Sequence, residues 1–358
     1  MTLTATAEEI TAPSVGGAVS TAPVLTPAQL AAQLPCSPTA ARTVRAARVS
    51  SCQVLDGIDD RLLVVVGPCS VHDVDAALTY AKALRVLADE LAGDLLIVMR
   101  AYFEKPRTAV GWPGLLTDPR RDGSFAVGDG LRAARALMLE ISELGLPVGT
   151  EWLSPLTPDY LGDLVSWAAI GARTAESQVH RQLASGLTMP VGMKNGSTGS
   201  IAVAADAVRA AAAPHGYLGA DAAGSLAIVR TSGNPHCHVV LRGGGGPNYS
   251  AADVLATTEL LRARGLPERV VIDASHGNSG KDEARQAVVA GEIATQIADG
   301  GHAIRGIMLE SFLVPGRQDA DARPHVFGRS ITDACLGWDA TIDSLRDLAE
   351  AVRLRRRS

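Results

Sequence analysis

Eight short apolar runs, each ending on a polar or ionisable residue, constrain the fold of this chain more than any other feature. Residues 62–66 lead to Cys69, 95–99 to Arg100, 146–148 to Glu151 and 168–170 to Arg173. Residues 190–193 lead to Lys194, 239–241 to Arg242, 270–272 to Asp273 and His276, and 304–309 to Glu310. Runs of this length without polar alternation suit strands buried on both faces, as in a parallel sheet. Eight of them separated by helical stretches predict an α/β chain closed into a (β/α)8 TIM barrel, whose chemistry lies at the strand C-terminal ends. The competing arrangement is an open α/β sheet with scattered polar residues.

A barrel of typically ~250 residues plus extensions accounts for a chain of 358. Apolar residues make up 47%, enough for a substantial core, and a net charge of −5 points to neither nucleic acid nor a membrane surface as partner. No apolar stretch approaches the ~18 residues that span a bilayer. The N-terminus carries Glu8 and Glu9 and lacks the basic and apolar regions of a signal peptide. Cys36, Cys52, Cys69, Cys237 and Cys335 form an odd set without a CxxC pair, which suits reduced thiols in the cytoplasm.

Residues 1–24, rich in Thr, Ala, Ser and Gly, read as a mobile tail. Residues 25–60 read as a helical extension, because Thr26-Pro27 and Ser37-Pro38 each set a capping residue before a proline. Residues 61–358 read as the barrel, with helices expected over 75–91, 129–144, 200–212, 251–264, 282–298 and 340–356. The basic cluster Arg353, Arg355, Arg356 and Arg357 reads as a solvated helix end. Residues 103–127 are too long for a simple loop, and 214–238 have the glycines and β-formers of a hairpin before the sixth barrel strand.

If the barrel closes, Cys69, His276, Glu310 and Asp333 become four potential metal ligands. A thiolate, an imidazole and two carboxylates suit Mn2+, Fe2+, Co2+ or Zn2+ better than Mg2+ or Ca2+. Singly, Cys69 is equally a small buried apolar residue, His276 a hydrogen-bonded core residue and Asp333 a helix N-cap. Arg100, Lys105, Arg107, Arg173, Lys194 and Arg242 form a cationic set at or beyond strand ends. Such a set would repel itself unless anions fill the space, which implies at least two anionic groups and two substrates.

Longer motifs carry a family resemblance. They are Gly67-Pro68-Cys69-Ser70-Val71-His72-Asp73, the stretch from Arg100 through Lys105-Pro106-Arg107-Thr108, and Gly171-Ala172-Arg173-Thr174-Ala175-Glu176-Ser177. With them go Pro190-Val191-Gly192-Met193-Lys194-Asn195-Gly196, Leu241-Arg242-Gly243-Gly244, Pro247-Asn248-Tyr249, Asp273-Ala274-Ser275-His276-Gly277-Asn278, Glu310-Ser311 and Ser330-Ile331-Thr332-Asp333-Ala334-Cys335. In this order they resemble the type I 3-deoxy-D-arabino-heptulosonate 7-phosphate (DAHP) synthases, in their microbial feedback-regulated branch. The resemblance runs from about residue 25 to the C-terminus. It departs mildly at Gly244-Gly245-Gly246, at Ala274 and at Gly277, small residues that could loosen the pocket.

The resemblance implies condensation of phosphoenolpyruvate with D-erythrose 4-phosphate and water to DAHP plus phosphate, the first step of the shikimate/chorismate pathway. It implies a divalent metal (Mn2+, Co2+, Fe2+ or Zn2+) on Cys69, His276, Glu310 and Asp333. The phosphate of phosphoenolpyruvate falls to Arg173, Lys194, Arg242 and the Gly171-Ala172 backbone, and its carboxylate to Arg100 and Lys105, with Glu151 supporting the pocket. The erythrose 4-phosphate phosphate falls to Pro106, Arg107 and Thr108, while Lys105 supplies a proton. A homodimer or homotetramer is implied too, with an aromatic amino acid inhibiting at a site built from residues 1–55 and 217–224. By the same resemblance, Gly219 stands where phenylalanine-regulated members tend to carry a serine, and the smaller residue would leave room for a phenol hydroxyl, which favours tyrosine, although Tyr217 competes for that space. A related synthase for arabinose 5-phosphate and a non-catalytic barrel are the rivals. The 105–108 pattern and the complete set of functional residues disfavour them.

Overall fold

The computed structural model describes residues 21–107 and 109–357. Most of the expected tail, residues 1–20, lies outside them, and so does Thr108. Ten strands form among the described residues: β1 Leu62–Gly67, β2 Leu95–Arg100, β3 Val148–Glu151, β4 Trp167–Ile170, β5 Val191–Lys194, β6 Gly216–Ala220, β7 Leu226–Arg230, β8 His238–Leu241, β9 Val270–Asp273 and β10 Ile304–Glu310. Eight of these pair in parallel into a closed barrel in the order β1-β2-β3-β4-β5-β8-β9-β10. Strands β6 and β7 form an antiparallel hairpin ahead of the sixth barrel strand. The eight apolar runs are therefore a TIM barrel.

The third strand starts later than its apolar run. Gly145 at φ 81° and Pro147, which has no N–H to pair, carry the chain into it, and pairing begins at Val148. The six expected barrel helices form within two residues of their expected ends. Helices Thr157–Leu161 and Gln178–Gly186 went unforeseen, being too short to display a periodic apolar face.

Both N-terminal caps form. The Thr26 hydroxyl accepts from the Gln29 N–H at 3.2 Å and the Ser37 hydroxyl from the Ala40 N–H at 3.1 Å. The second helix, Pro38–Asp56, delivers Val54 and Leu55 into a cluster with Leu63, Val65, Val98, Trp167, Val240 and Met308. These strand residues alternate with ones facing the outer helices, so they fill the barrel interior and the helix end closes its base. Room for the Trp167 indole comes from Gly192, where a Cβ would lie 2.8 Å from the ring. No described helix is long and apolar enough to cross a membrane.

The C-terminal arginines are not simply solvated. Arg353 and Arg356 both pair with Asp94, at 2.7 and 2.6 Å, and Arg356 also with Asp60 at 2.7 Å. Arg355 is buried and donates to the Asp60 carbonyl. The cluster clamps the last helix onto the base of β1 and β2.

Candidate active site

Strand side chains alternate between faces, so the inward residues two positions beyond the apolar layer form the next layer up. Val98, Ala169, Val240, Val271 and Met308 are followed in that register by Arg100, Gly171, Arg242, Asp273 and Glu310. Gly149 and Gly192 are followed by Glu151 and Lys194. The top layer is thus a charged ring at the strand C-terminal ends. Above it opens a cavity bordered by Arg100, Glu151, Lys194, Arg242 and the loop residues Lys105 and Arg173.

Much of this charge is balanced within the protein. Arg100 donates to Glu310 Oε1 at 2.8 Å, with its guanidinium 3.6 Å above the Tyr102 ring. Lys194 Nζ lies 3.1 Å from Glu151 and 3.5 Å from Asp273. Lys105 Nζ lies 2.8 Å from the Cys69 sulfur and 3.0 Å from Asp333. Three of the six expected cations therefore already face acidic groups, which corrects the inference that substrate anions must neutralise the whole set. Burial alone would raise Glu310, Asp273 and Glu151, yet His276, Lys194 and Arg100 outweigh it and hold these carboxyls low. Burial would likewise lower Lys105, but Cys69, Glu310 and Asp333 keep it protonated.

Donor atoms of Cys69, Glu310 and Asp333 all lie within 4.8 Å of one another. His276 stands beside this trio, with Nε2 3.6 Å from Glu310 and Nδ1 2.9 Å from Asp273. Gln286 grips the Glu310 backbone through two hydrogen bonds of 2.9 and 2.7 Å, and Ser275 donates to its carboxylate at 2.8 Å. The helix after Asp333 is capped by Gly337, so Asp333 is not an N-cap. Instead Lys105 and Lys281 approach its two oxygens at 3.0 Å each. The Lys105 ammonium among thiol and carboxylates is a built-in stand-in for a cation, and a thiol, carboxylates and an imidazole at this spacing fit a borderline divalent ion.

Three asparagines set the strand-end loops. Asn195 accepts from the Arg242 N–H at 2.7 Å, and Asn248 accepts from the Gly243 N–H at 2.7 Å. Asn278 accepts from the Asn248 N–H at 2.8 Å and donates to the Asp273 carbonyl at 2.8 Å. Of the small residues expected to loosen the pocket, Gly244 and Gly277 instead lie in close backbone contact, as does Gly243 beside them. A Cβ on Gly243 would overlap the backbone of Gly277 and one on Gly244 that of Gly199, so these glycines let the loop after β8 meet the loops after β9 and β5 in contact.

Pro106, Arg107, Gly171 and Ala172 also border the cavity. Tyr102, Glu104 and Lys281 were not foreseen as site residues, and Asp273 was expected at the strand-end rim without an assigned role. Tyr102 and Glu104 lie inside the Arg100–Arg107 motif, and Asp273 ends an apolar run, so the sequence carried a signal for them. Nothing in sequence marked Lys281. Burial pushes the Glu104 carboxyl up to about 7 despite N–H bonds from Ser154 and Leu153. Burial raises Tyr102 to about 12 against the pull of Lys194 and Arg100.

A family model described as the DAHP synthetase I family matches residues 33–346. The Phe-sensitive phospho-2-dehydro-3-deoxyheptonate aldolase of Escherichia coli K12 is 54% identical over 334 residues, covering 93% of this chain and 95% of that one. The Tyr-sensitive aldolase of Salmonella typhimurium is 50% identical over 327 residues, covering 91% and 92%. A solved phospho-2-dehydro-3-deoxyheptonate aldolase from Francisella tularensis superposes with a TM-score of 0.94 at 44% identity, over 95% of this chain and all of that one.

Proposed function

The chain belongs to the DAHP synthetase I family, and from that premise we propose that the charged barrel mouth is the active site of a 3-deoxy-7-phosphoheptulonate synthase. The enzyme condenses phosphoenolpyruvate with D-erythrose 4-phosphate and water, releasing DAHP and phosphate, the first step of the shikimate pathway. The observation that carries this reading is a single cavity bordered by the cationic rim and by His276 and Asp333, with the Cys69 and Glu310 donors within 4.8 Å of the Asp333 carboxylate.

Cys69, His276, Glu310 and Asp333 would hold the divalent metal, Mn2+, Co2+, Fe2+ or Zn2+. When bound it supplies Lewis acidity to the aldehyde oxygen. Arg173, Lys194 and Arg242, with the Gly171-Ala172 backbone, hold the phosphate of phosphoenolpyruvate, while Arg100 and Lys105 face its carboxylate. Glu151 keeps Lys194 charged and aimed. Arg107, Pro106 and Thr108 hold the aldose phosphate. With both anions fixed, C3 of phosphoenolpyruvate attacks the aldehyde carbon, and Lys105 donates a proton to the developing alkoxide. Water adds at C2, and the C–O bond to phosphate breaks while Arg173, Lys194 and Arg242 stabilise the departing charge.

Feedback inhibition by an aromatic amino acid belongs with this activity, as the names of the relatives indicate. We assign tyrosine. A pocket bordered by Tyr217, Val229, Asp159 and Met189 lies under the hairpin. The small residue at Gly219 is what favours tyrosine, while the Val229 and Tyr217 side chains, 2.7 and 3.5 Å from where a Cβ at 219 would lie, border that corner. Leu218, Leu226 and Ile228 are exposed on the hairpin, which supports a homodimer or homotetramer. A cytoplasmic setting suits five free cysteines.

The test is product formation with each substrate, with and without chelator, and then with phenylalanine, tyrosine and tryptophan added singly. Turnover should require both substrates and a metal, and tyrosine should inhibit most. No consumption of phosphoenolpyruvate with erythrose 4-phosphate and Mn2+ present would overturn the assignment. Stronger inhibition by phenylalanine would overturn the effector.

A further inference from the structure

A second pocket adjoins the reaction cavity, bordered by Arg107, Arg317, Gln318, Asp319 and Ile331. Arg107 borders both spaces. Its guanidinium packs against Gly111, where a Cβ would lie 2.5 Å from Nε, so it forms the shared wall.

Arg317 sits on the loop joining β10 to the last helix, the same loop that carries Asp333. The backbone there is pinned. The Gly316 N–H donates to the Cys335 carbonyl at 2.9 Å, and the Gln318 N–H donates to the Ser330 carbonyl at 2.8 Å. The Gln318 amide donates to the Val326 and Arg329 carbonyls at 2.9 and 2.8 Å. The Arg317 side chain is exposed on this held backbone, and neither it nor Arg107 pairs with any described residue. One carboxylate, Asp319, faces two guanidiniums, and it already accepts from the Asp321 N–H at 2.9 Å. Two planar forks around one pocket present several N–H groups to one multivalent anion, and they repel each other without it.

We propose that Arg317 is a second arm of the clamp on the terminal phosphate of the aldose substrate, reaching it from the side opposite Arg107. The inference rests on the reading of Arg107 as an aldose-phosphate contact. It adds a specificity-determining residue on a different loop, so the aldose phosphate bridges the loop after β2 and the loop that carries Asp333.

Michaelis constants for both substrates, measured on Arg317→Ala, Arg317→Lys and Arg107→Ala with Mn2+ saturating, test it. Losing one charge-assisted contact should raise KM for erythrose 4-phosphate about tenfold in Arg317→Ala. KM for phosphoenolpyruvate should stay within about twofold on the same scale, and thermal stability should not move, because the exposed side chain makes no hydrogen bond or ion pair among the described residues. Arg317→Lys should recover part of the loss, keeping the charge without the fork. An unchanged KM for erythrose 4-phosphate in Arg317→Ala, alongside a raised one in Arg107→Ala, would overturn this inference alone. If Arg107→Ala were also unaffected, the reading of the 105–108 segment would fall and the clamp with it. Equal rises for both substrates would overturn the assignment to the aldose.

Discussion

Cys69 is held between two different neighbours, the Lys105 ammonium and the backbone-fixed Cys335, whose sulfur lies 3.4 Å from the Cys69 N–H. Burial and Glu310 raise the thiol against the opposing pull of Lys105 and Arg100. A soft donor in a set with carboxylates favours Mn2+ or Co2+ over Mg2+. Chelator should therefore abolish turnover, with Mn2+ or Co2+ restoring it better than Mg2+. Cys69→Ala should lose at least about a hundredfold of metal-dependent rate while keeping its fold, on the scale of removed metal-site partners. Activity assays on metal-stripped protein, with circular dichroism for the fold, check both. Cys335 makes a separate prediction: Cu2+ and dissolved oxygen should oxidise the two thiols to a Cys69–Cys335 bridge, reversible by dithiothreitol. Cys335→Ser should stay active and resist this loss, as peptide mapping and residual activity will record. Four ligand candidates could be named from residue type, but Lys105 as their counter-charge could not, because 36 residues separate it from Cys69.

At the scale of strands and loops, the charged ring follows from register. An inward apolar residue, an outward one and then a charge places that charge at the barrel mouth. The crossing of the loops after β8 and β9 is less visible. Gly243 sits at φ 73°, and the Gly277 N–H donates to the Arg242 carbonyl at 3.0 Å. Gly243→Ala combines a left-handed backbone with a side chain driven into Gly277, at a cost of about 2 kcal/mol or more. It should lower the unfolding midpoint and also raise KM for phosphoenolpyruvate by shifting Arg242. A loss of stability with unchanged KM would argue that Arg242 does not depend on the crossing. The hydrogen bonds that bind Asn195, Asn248 and Asn278 were illegible because each joins a different strand end, although all three residues lie in recognisable motifs.

Across the whole molecule, buried titratable groups set the response to pH. His238 lies inside the barrel, where Nδ1 faces the His236 carbonyl at 3.1 Å and Nε2 accepts from the Trp167 indole at 3.3 Å. Both partners suit the neutral ring, and burial pushes His238 down to about 4. Burial and the Arg121 charge push His72 to about 4 as well. Between about pH 6.5 and 4 the unfolded chain binds the extra protons, so stability falls as pH falls through this window. Glu104, raised to about 7, works in the opposite sense, because its folded form keeps a proton that the unfolded chain loses above about pH 4.5. The two histidines outweigh it. The thermal midpoint should drop as pH goes from 7 to 4.5, His238→Asn should flatten the drop, and Glu104→Gln should steepen it. Calorimetry across that range checks all three.

Amino-acid order alone determined the strands, the principal helices, the N-terminal caps and the inward register, because these depend on apolar periodicity and on groups a few residues apart. It also carried the motifs that named the family. Only the tertiary structure decided which charges meet. Closure of the barrel brings Glu310 onto Arg100 across 210 residues, and the last long loop brings Asp333 to Cys69 across 264. Sequence separation carries no information about such contacts, since packing of the whole chain sets them. The same packing paired Arg100, Lys105 and Lys194 of the cationic rim with acidic groups, and it left Arg107 and Arg317 facing a shared pocket.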